Sequence, residues 1–107
     1  MKAISFLTII TLLAGCKKSE QVQSSTGCDA QISYSAKVKS IFVANCTASG
    51  CHDGVDLPSL AEYLTAKDAS QQIKIAVKNG VMPRNGILSA PDKAAIICWI
   101  DNGAKNN

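Results

Sequence analysis

The chain has 107 residues, room for one domain, and carries 11 basic against 8 acidic side chains for a net charge of +3. So small an excess argues against a nucleic-acid partner and against a polybasic membrane patch. Aromatic residues make up only 5% of the chain, so a core built from its own side chains is thin.

Met1 and Lys2 open a charged start, and residues 3–15 are almost wholly apolar or small. That run is too short to span a bilayer and suits the apolar region of a secretory signal. It ends in Leu13-Ala14-Gly15-Cys16, which resembles the bacterial lipobox, where lipid joins the cysteine and cleavage falls before it. An ordinary signal peptide with a fortuitous cysteine and a buried core helix are the competing readings. A core helix sits badly with Lys17-Lys18-Ser19-Glu20, which follows at once. Residues 1–15 are therefore expected to be a lipoprotein signal peptide, whose removal leaves ten basic against eight acidic side chains. Residues 16–27, polar and rich in Ser and Gln, read as a flexible tether. The folded domain is expected over residues 28–107.

Within it, Ser33 is a fair N-cap, and Tyr34, Val38, Ile41 and Phe42 recur at helical spacing over about three turns, as far as Cys46. Asp53, Gly54, Asp56 and Pro58 mark a loop. Ser59 is expected to cap a short helix over residues 60–66, with Glu62 completing a capping box. A further helix is expected over 68–79, with Ile73, Ala76 and Val77 on its apolar edge and Gly80 as its stop. Residues 81–88 form a loop containing Pro83 and the turn pair Asn85-Gly86. Ser89 then caps the last helix, with Pro91 in its first turn and Asp92 favourable to the helix dipole. That helix runs through Ala94, Ile96, Cys98, Trp99 and Ile100 to about Asn102-Gly103 and is apolar nearly all round, so it should be buried on more than one side. Neither repeats nor alternating strand patterns occur. The fold class is all-α.

Chemistry concentrates in Cys46-Thr47-Ala48-Ser49-Gly50-Cys51-His52. Two thiols ending in Cys-His tie a haem covalently to a chain and give its iron a first axial ligand. Two intervening residues are the usual spacing; here there are four, and the extra pair must bulge outward. Small Ala48, Ser49 and Gly50 make that sterically possible. His52 is the only histidine, and Met82 the only methionine besides Met1, so two protein ligands from one chain would be His52 and Met82. A solitary Met is otherwise a core filler, yet Met82 lies in a loop between Gly80 and Pro83, where a weakly bonding thioether can be held in place. Met/His ligation raises the reduction potential, as suits an electron carrier.

Two other readings of the thiols remain: a local disulfide beside a surface histidine, or zinc held with His52 and a further cysteine. Adjacent Cys51 and His52 are poorly placed for one tetrahedron. With Cys16 lipidated and Cys46 and Cys51 on haem, Cys28 and Cys98 are left. In an oxidising compartment a leftover pair becomes a disulfide, free thiols being the alternative. Arg84 could neutralise a haem propionate or simply face solvent. Trp99 could pack on the haem or on the first helix. A haem would also supply apolar mass that so small a domain lacks.

These residues together resemble the small class I c-type cytochromes, most closely the monohaem domains of exported bacterial lipoproteins. The likeness rests on Tyr34-Ser35 with Val38-Lys39-Ser40-Ile41, on Cys51-His52, and on Leu57 through Tyr63. It continues through Val81-Met82-Pro83 and Leu88-Ser89 to Trp99-Ile100-Asp101-Asn102-Gly103-Ala104, covering nearly everything from Cys28 onward. It implies a bundle of about four helices around one haem, crossing first and last helices, His52 proximal and Met82 distal. Two features depart from the pattern: the four-residue cysteine gap, and Pro91 where similar domains often carry a cysteine. Cys98 lies seven residues further on, about two turns along the same face, which would allow the bridge to Cys28 in shifted form.

The expectation is a lipid-anchored, exported one-electron carrier with one covalent haem c, working with redox partner proteins and held to a bacterial membrane through Cys16. With both axial positions filled by protein, and no acid, base or nucleophile constellation, an enzyme is not expected. The rivals are a haem-free, disulfide-stabilised lipoprotein binding module and a haem subunit of a larger oxidoreductase.

Overall fold

The structure, a computed structural model, describes residues 28–107. The signal peptide, the lipidated Cys16 and the tether lie outside the described residues. Four α-helices and one π-helical stretch make up the regular structure, and no strand occurs among the described residues. The helices are α1 (Lys39–Asn45), α2 (Tyr63–Asp68), α3 (Ser70–Lys78) and α4 (Ala90–Asp101). None of them is long and apolar enough to cross a membrane.

The first helix departs from the expected regular α form. Ser33 caps it, its Oγ accepting the Ala36 N–H at 3.1 Å. Its carbonyl then accepts the N–H groups of both Lys37 and Val38, each at 3.1 Å, and Lys39 N–H bonds back to Tyr34. These wider bonds make Tyr34–Val38 π-helical before α1 takes over. Tyr34 and Val38, at both ends of the widened turn, are buried.

The second helix begins later than the sequence suggests, and the capping box does not form. Ser59 Oγ accepts the Ala61 N–H at 3.3 Å, while Glu62 becomes the N-cap with no side-chain bond. Tertiary contacts explain the shift. Leu60 N–H donates to the His52 carbonyl at 3.4 Å, and the Leu60 carbonyl accepts the buried Tyr34 hydroxyl at 3.2 Å. The Leu60 carbonyl, which would otherwise accept an intrahelical bond, is thereby engaged elsewhere, and the N–H bond fixes where the chain enters. Only Ala69 separates α2 from α3.

Helix α4 forms as its local signals require. Ser89 Oγ accepts the Asp92 N–H at 3.2 Å, and Pro91 sits in the first turn, where its missing N–H costs nothing. Ala95, Ile96, Cys98, Trp99 and Ile100 are all buried, so the helix faces the core on more than one side. It packs against α3 and the π-helical turn. Lys37–Asp92 at 3.6 Å and Lys74–Asp101 span these contacts as ion pairs.

Trp99 belongs to this core. Its ring centroid lies 5.3 Å from Tyr34 and 6.2 Å from Phe42, and Tyr34 meets Tyr63 edge-on at 5.2 Å. The tail then folds back over the start of the first helix. Asn107 accepts bonds from Ser33 and Ser35, and Ala104, with φ +49°, takes the Tyr63 hydroxyl on its carbonyl at 2.9 Å.

Cys28 and Cys98 are joined, sulfur to sulfur at 2.08 Å, across a sequence separation of 70. Closing so long a loop restricts the unfolded chain by about 4 kcal/mol in the chain-entropy account. The Cys28→Ala/Cys98→Ala variant is therefore expected to unfold at a lower urea midpoint by about that free energy. A loss below about 1 kcal/mol would show that the bridge does not stabilise the domain.

Candidate functional site

Helix α1 ends at Cys46, whose N–H donates to the Phe42 carbonyl at 2.7 Å. From there residues 47–50 leave the helix, and the chain returns at once. Cys51 N–H donates to the Ala48 carbonyl at 2.9 Å, and His52 N–H donates to the Cys46 carbonyl at 3.0 Å. That second bond closes the whole spacer into a loop. Gly50, at φ +80°, makes the turn that a side chain would strain, and Ala48, Ser49 and Gly50 are exposed. The four-residue gap is thus accommodated as an outward bulge, with Cys46 and His52 tied together at its base.

The loop after His52 is pinned in turn. Asp53 accepts the Gly50 N–H at 3.1 Å and the Val55 N–H at 2.9 Å, and Gly54 N–H donates to the Leu57 carbonyl at 2.9 Å. The Val55 bond first, then the Gly50 bond, hold the Asp53 carboxyl below the usual carboxylate range. The importance of Asp53 was not read from the sequence, where it looked like ordinary loop composition. Its signal is an Asx residue followed two positions later by a backbone donor, a local pattern that many loops share.

Met82 sits in the loop after α3. Gly80, with φ +70°, ends the helix, and the Val81 and Met82 N–H groups both donate to the Ala76 carbonyl, at 2.9 and 3.3 Å. Met82 is half-buried, and the Met82-Pro83 peptide is cis.

Cys46, Cys51, His52 and Met82 all line one cavity of about 1010 Å³. Its apolar wall includes Phe42, Leu57, Leu60, Ile73 and Val77, and Arg84, exposed to solvent, also borders it. The volume is at the upper end of ligand pockets, which run to about 1,000 Å³. Trp99 does not line the cavity; it packs against the first helix instead.

Cys46 and Cys51 are free thiols, each half-buried. Burial, with a smaller contribution from the neighbouring Cys51, pushes the Cys46 thiol up to about 11, so it stays protonated at neutral pH. Among the described residues no three His, Cys, Asp or Glu side chains cluster as a metal site built from side chains alone would require. A haem iron needs no such cluster, because the porphyrin nitrogens supply its remaining donors. A thiol pair, one imidazole and one thioether around an apolar chamber suit such a group. No family model matches this chain, and neither a curated protein nor a solved structure matches it.

Proposed function

We propose that this domain is a c-type monohaem cytochrome that carries single electrons, with haem bound through Cys46 and Cys51 and ligated by His52 and Met82. One observation carries the reading: all four side chains, separated by up to 36 positions in sequence, line the same apolar cavity. Cys46 and Cys51 would hold the haem by adding S–H across its vinyl groups, sulfur to one carbon and hydrogen to the other, an addition that consumes no oxidant or reductant.

When bound, the haem supplies reversible one-electron exchange at its iron. The chain's own residues do the rest. Phe42, Leu60, Ile73 and Val77 exclude water and lower the local dielectric. His52 and Met82 would both be ligands to the iron, and two protein ligands favour transfer over catalysis. Arg84 offers a permanent cation to a propionate at the rim.

The wider reading places this domain outside the cytoplasm, tethered to a bacterial membrane by lipid on Cys16 and exchanging electrons with redox proteins there. It rests on the lipobox-like Leu13-Ala14-Gly15-Cys16. Export of the full chain from cells with a working cytochrome maturation system tests the site directly. The mature protein should gain the mass of one haem, retained after denaturation, with neither Cys46 nor Cys51 open to alkylation. A chain whose mass equals that of the polypeptide and its lipid alone would refute the reading.

A further inference from the structure

Asp53 follows the proposed ligand His52 directly, and its carboxylate reaches both sides of the Cys51-His52 pair. Oδ2 accepts from Gly50, the residue before Cys51, at 3.1 Å; Oδ1 accepts from Val55, two residues on, at 2.9 Å. Between and beside them stand Gly50 at φ +80° and Gly54 at φ +91°. Glycine at such positions allows the turn but loses more freedom on ordering than any other residue, so the segment gains from a side-chain tie added to the backbone bonds of Cys51 to Ala48 and His52 to Cys46. Cys46 is different. It caps α1, packs against the core and is held by the helix itself.

We propose that Asp53 is the positioning residue that makes the four-residue spacing workable, clamping Gly50 and Val55 so that Cys51 and His52 stay on the cavity wall. The proposal rests on the haem reading of the site. Asp53 takes no part in the addition of the thiol to the vinyl group; it acts through the backbone alone. The asymmetry of the loop gives the proposal its signature. Loss of the clamp should release the Cys51 end and leave the Cys46 end in place.

The test uses the full chain, exported with a cytochrome maturation system, as wild type, Asp53→Ala, Asp53→Asn and Asp56→Asn. Attachment is read separately at each cysteine, by peptide mass and by alkylation of unreacted thiol. Asp53→Ala should show an about tenfold smaller share of chains joined through Cys51, with Cys46 still joined, because both charge-assisted bonds are gone. Asp53→Asn should fall between, since its amide oxygen can serve Val55 while its NH₂ cannot accept from Gly50. Asp56→Asn removes the same charge from the same loop and should match wild type. A purely structural role would lower attachment at both cysteines together, and that result overturns the proposal. Full attachment at Cys51 in Asp53→Ala also overturns it, while leaving the haem reading intact. A wild-type chain without haem sinks both, and is seen before any variant is compared. If Asp53→Ala does not fold, amide exchange in the exported, matured full chain decides. The Gly50 N–H should exchange about tenfold faster in Asp53→Asn than in wild type, and equal rates would overturn the proposal.

Discussion

Trp99→Ala is expected to cost the domain about 3–5 kcal/mol, the range for deleting a buried aromatic side chain. Trp99 is 1% exposed and is the largest of the fully buried side chains. Its indole touches Tyr34 from α4, comes edge-on to Phe42, and donates its Nε1–H to the Lys105 carbonyl at 2.9 Å. One side chain thus ties together the π-helical turn, α1, α4 and the tail. A domain of this size has about 5–15 kcal/mol in total, so the variant should lose from about a fifth of its stability to all of it. Trp99→Phe should lose less, because it keeps a ring in the cluster and gives up the hydrogen bond. Urea denaturation at unchanged slope measures both. Trp99 does not line the cavity but backs Phe42, which does, so the site should change only through that one wall residue in the fraction that remains folded. A loss below about 1 kcal/mol for the alanine variant would mean that the aromatic cluster is not the core of this fold.

The second large effect is expected at the iron of the proposed haem. Met82→Ala should leave haem attached through Cys46 and Cys51 but abolish the low-spin Met/His signature. The reduction potential should fall by on the order of 100 mV or more, within the roughly 0.8 V range that axial ligands command. Bonding of the Val81 and Met82 N–H groups to the Ala76 carbonyl holds the backbone of this loop independently of the Met82 side chain. The variant should therefore keep its loop and most of its stability, which separates loss of a ligand from loss of the fold. Met82 also borders a second, smaller cavity of about 140 Å³, so its side chain is not tightly enclosed by protein on every side. Unchanged spectra and potential would remove Met82 from the iron.

Much of the helical framework was legible in the sequence, and the reasons are local. Ser89, Pro91 and Asp92 start a helix through their own backbone geometry, and the one distant partner, Lys37 on the Asp92 carboxylate, leaves their backbone groups free. Gly80 stops α3 for the same kind of reason. The failures came where distant groups intervened. At Ser59 and Glu62 the pattern of a capping box is present, but Tyr34 and His52 engage the backbone of Leu60 and delay the helix. The π-helical turn depends on one carbonyl, that of Ser33, taking two donors, which periodicity cannot register. For the site, the four residues stand out in the sequence by their types alone. That they line one cavity does not follow from their spacing, because Met82 comes to it on the loop after α3, whose Ile73, Ala76 and Val77 line the same cavity. Nor did it disclose Asp53, whose role is defined by two amides on either side of the residues it steadies.

The account stands or falls on haem. Absorbance of the full-length protein, exported with a functioning cytochrome maturation system and then reduced, is the most direct measurement. Sharp, narrow bands of a low-spin c-type haem, in a one-to-one ratio with the polypeptide, are the expected result. A folded, colourless protein with both thiols of Cys46 and Cys51 still free would contradict it.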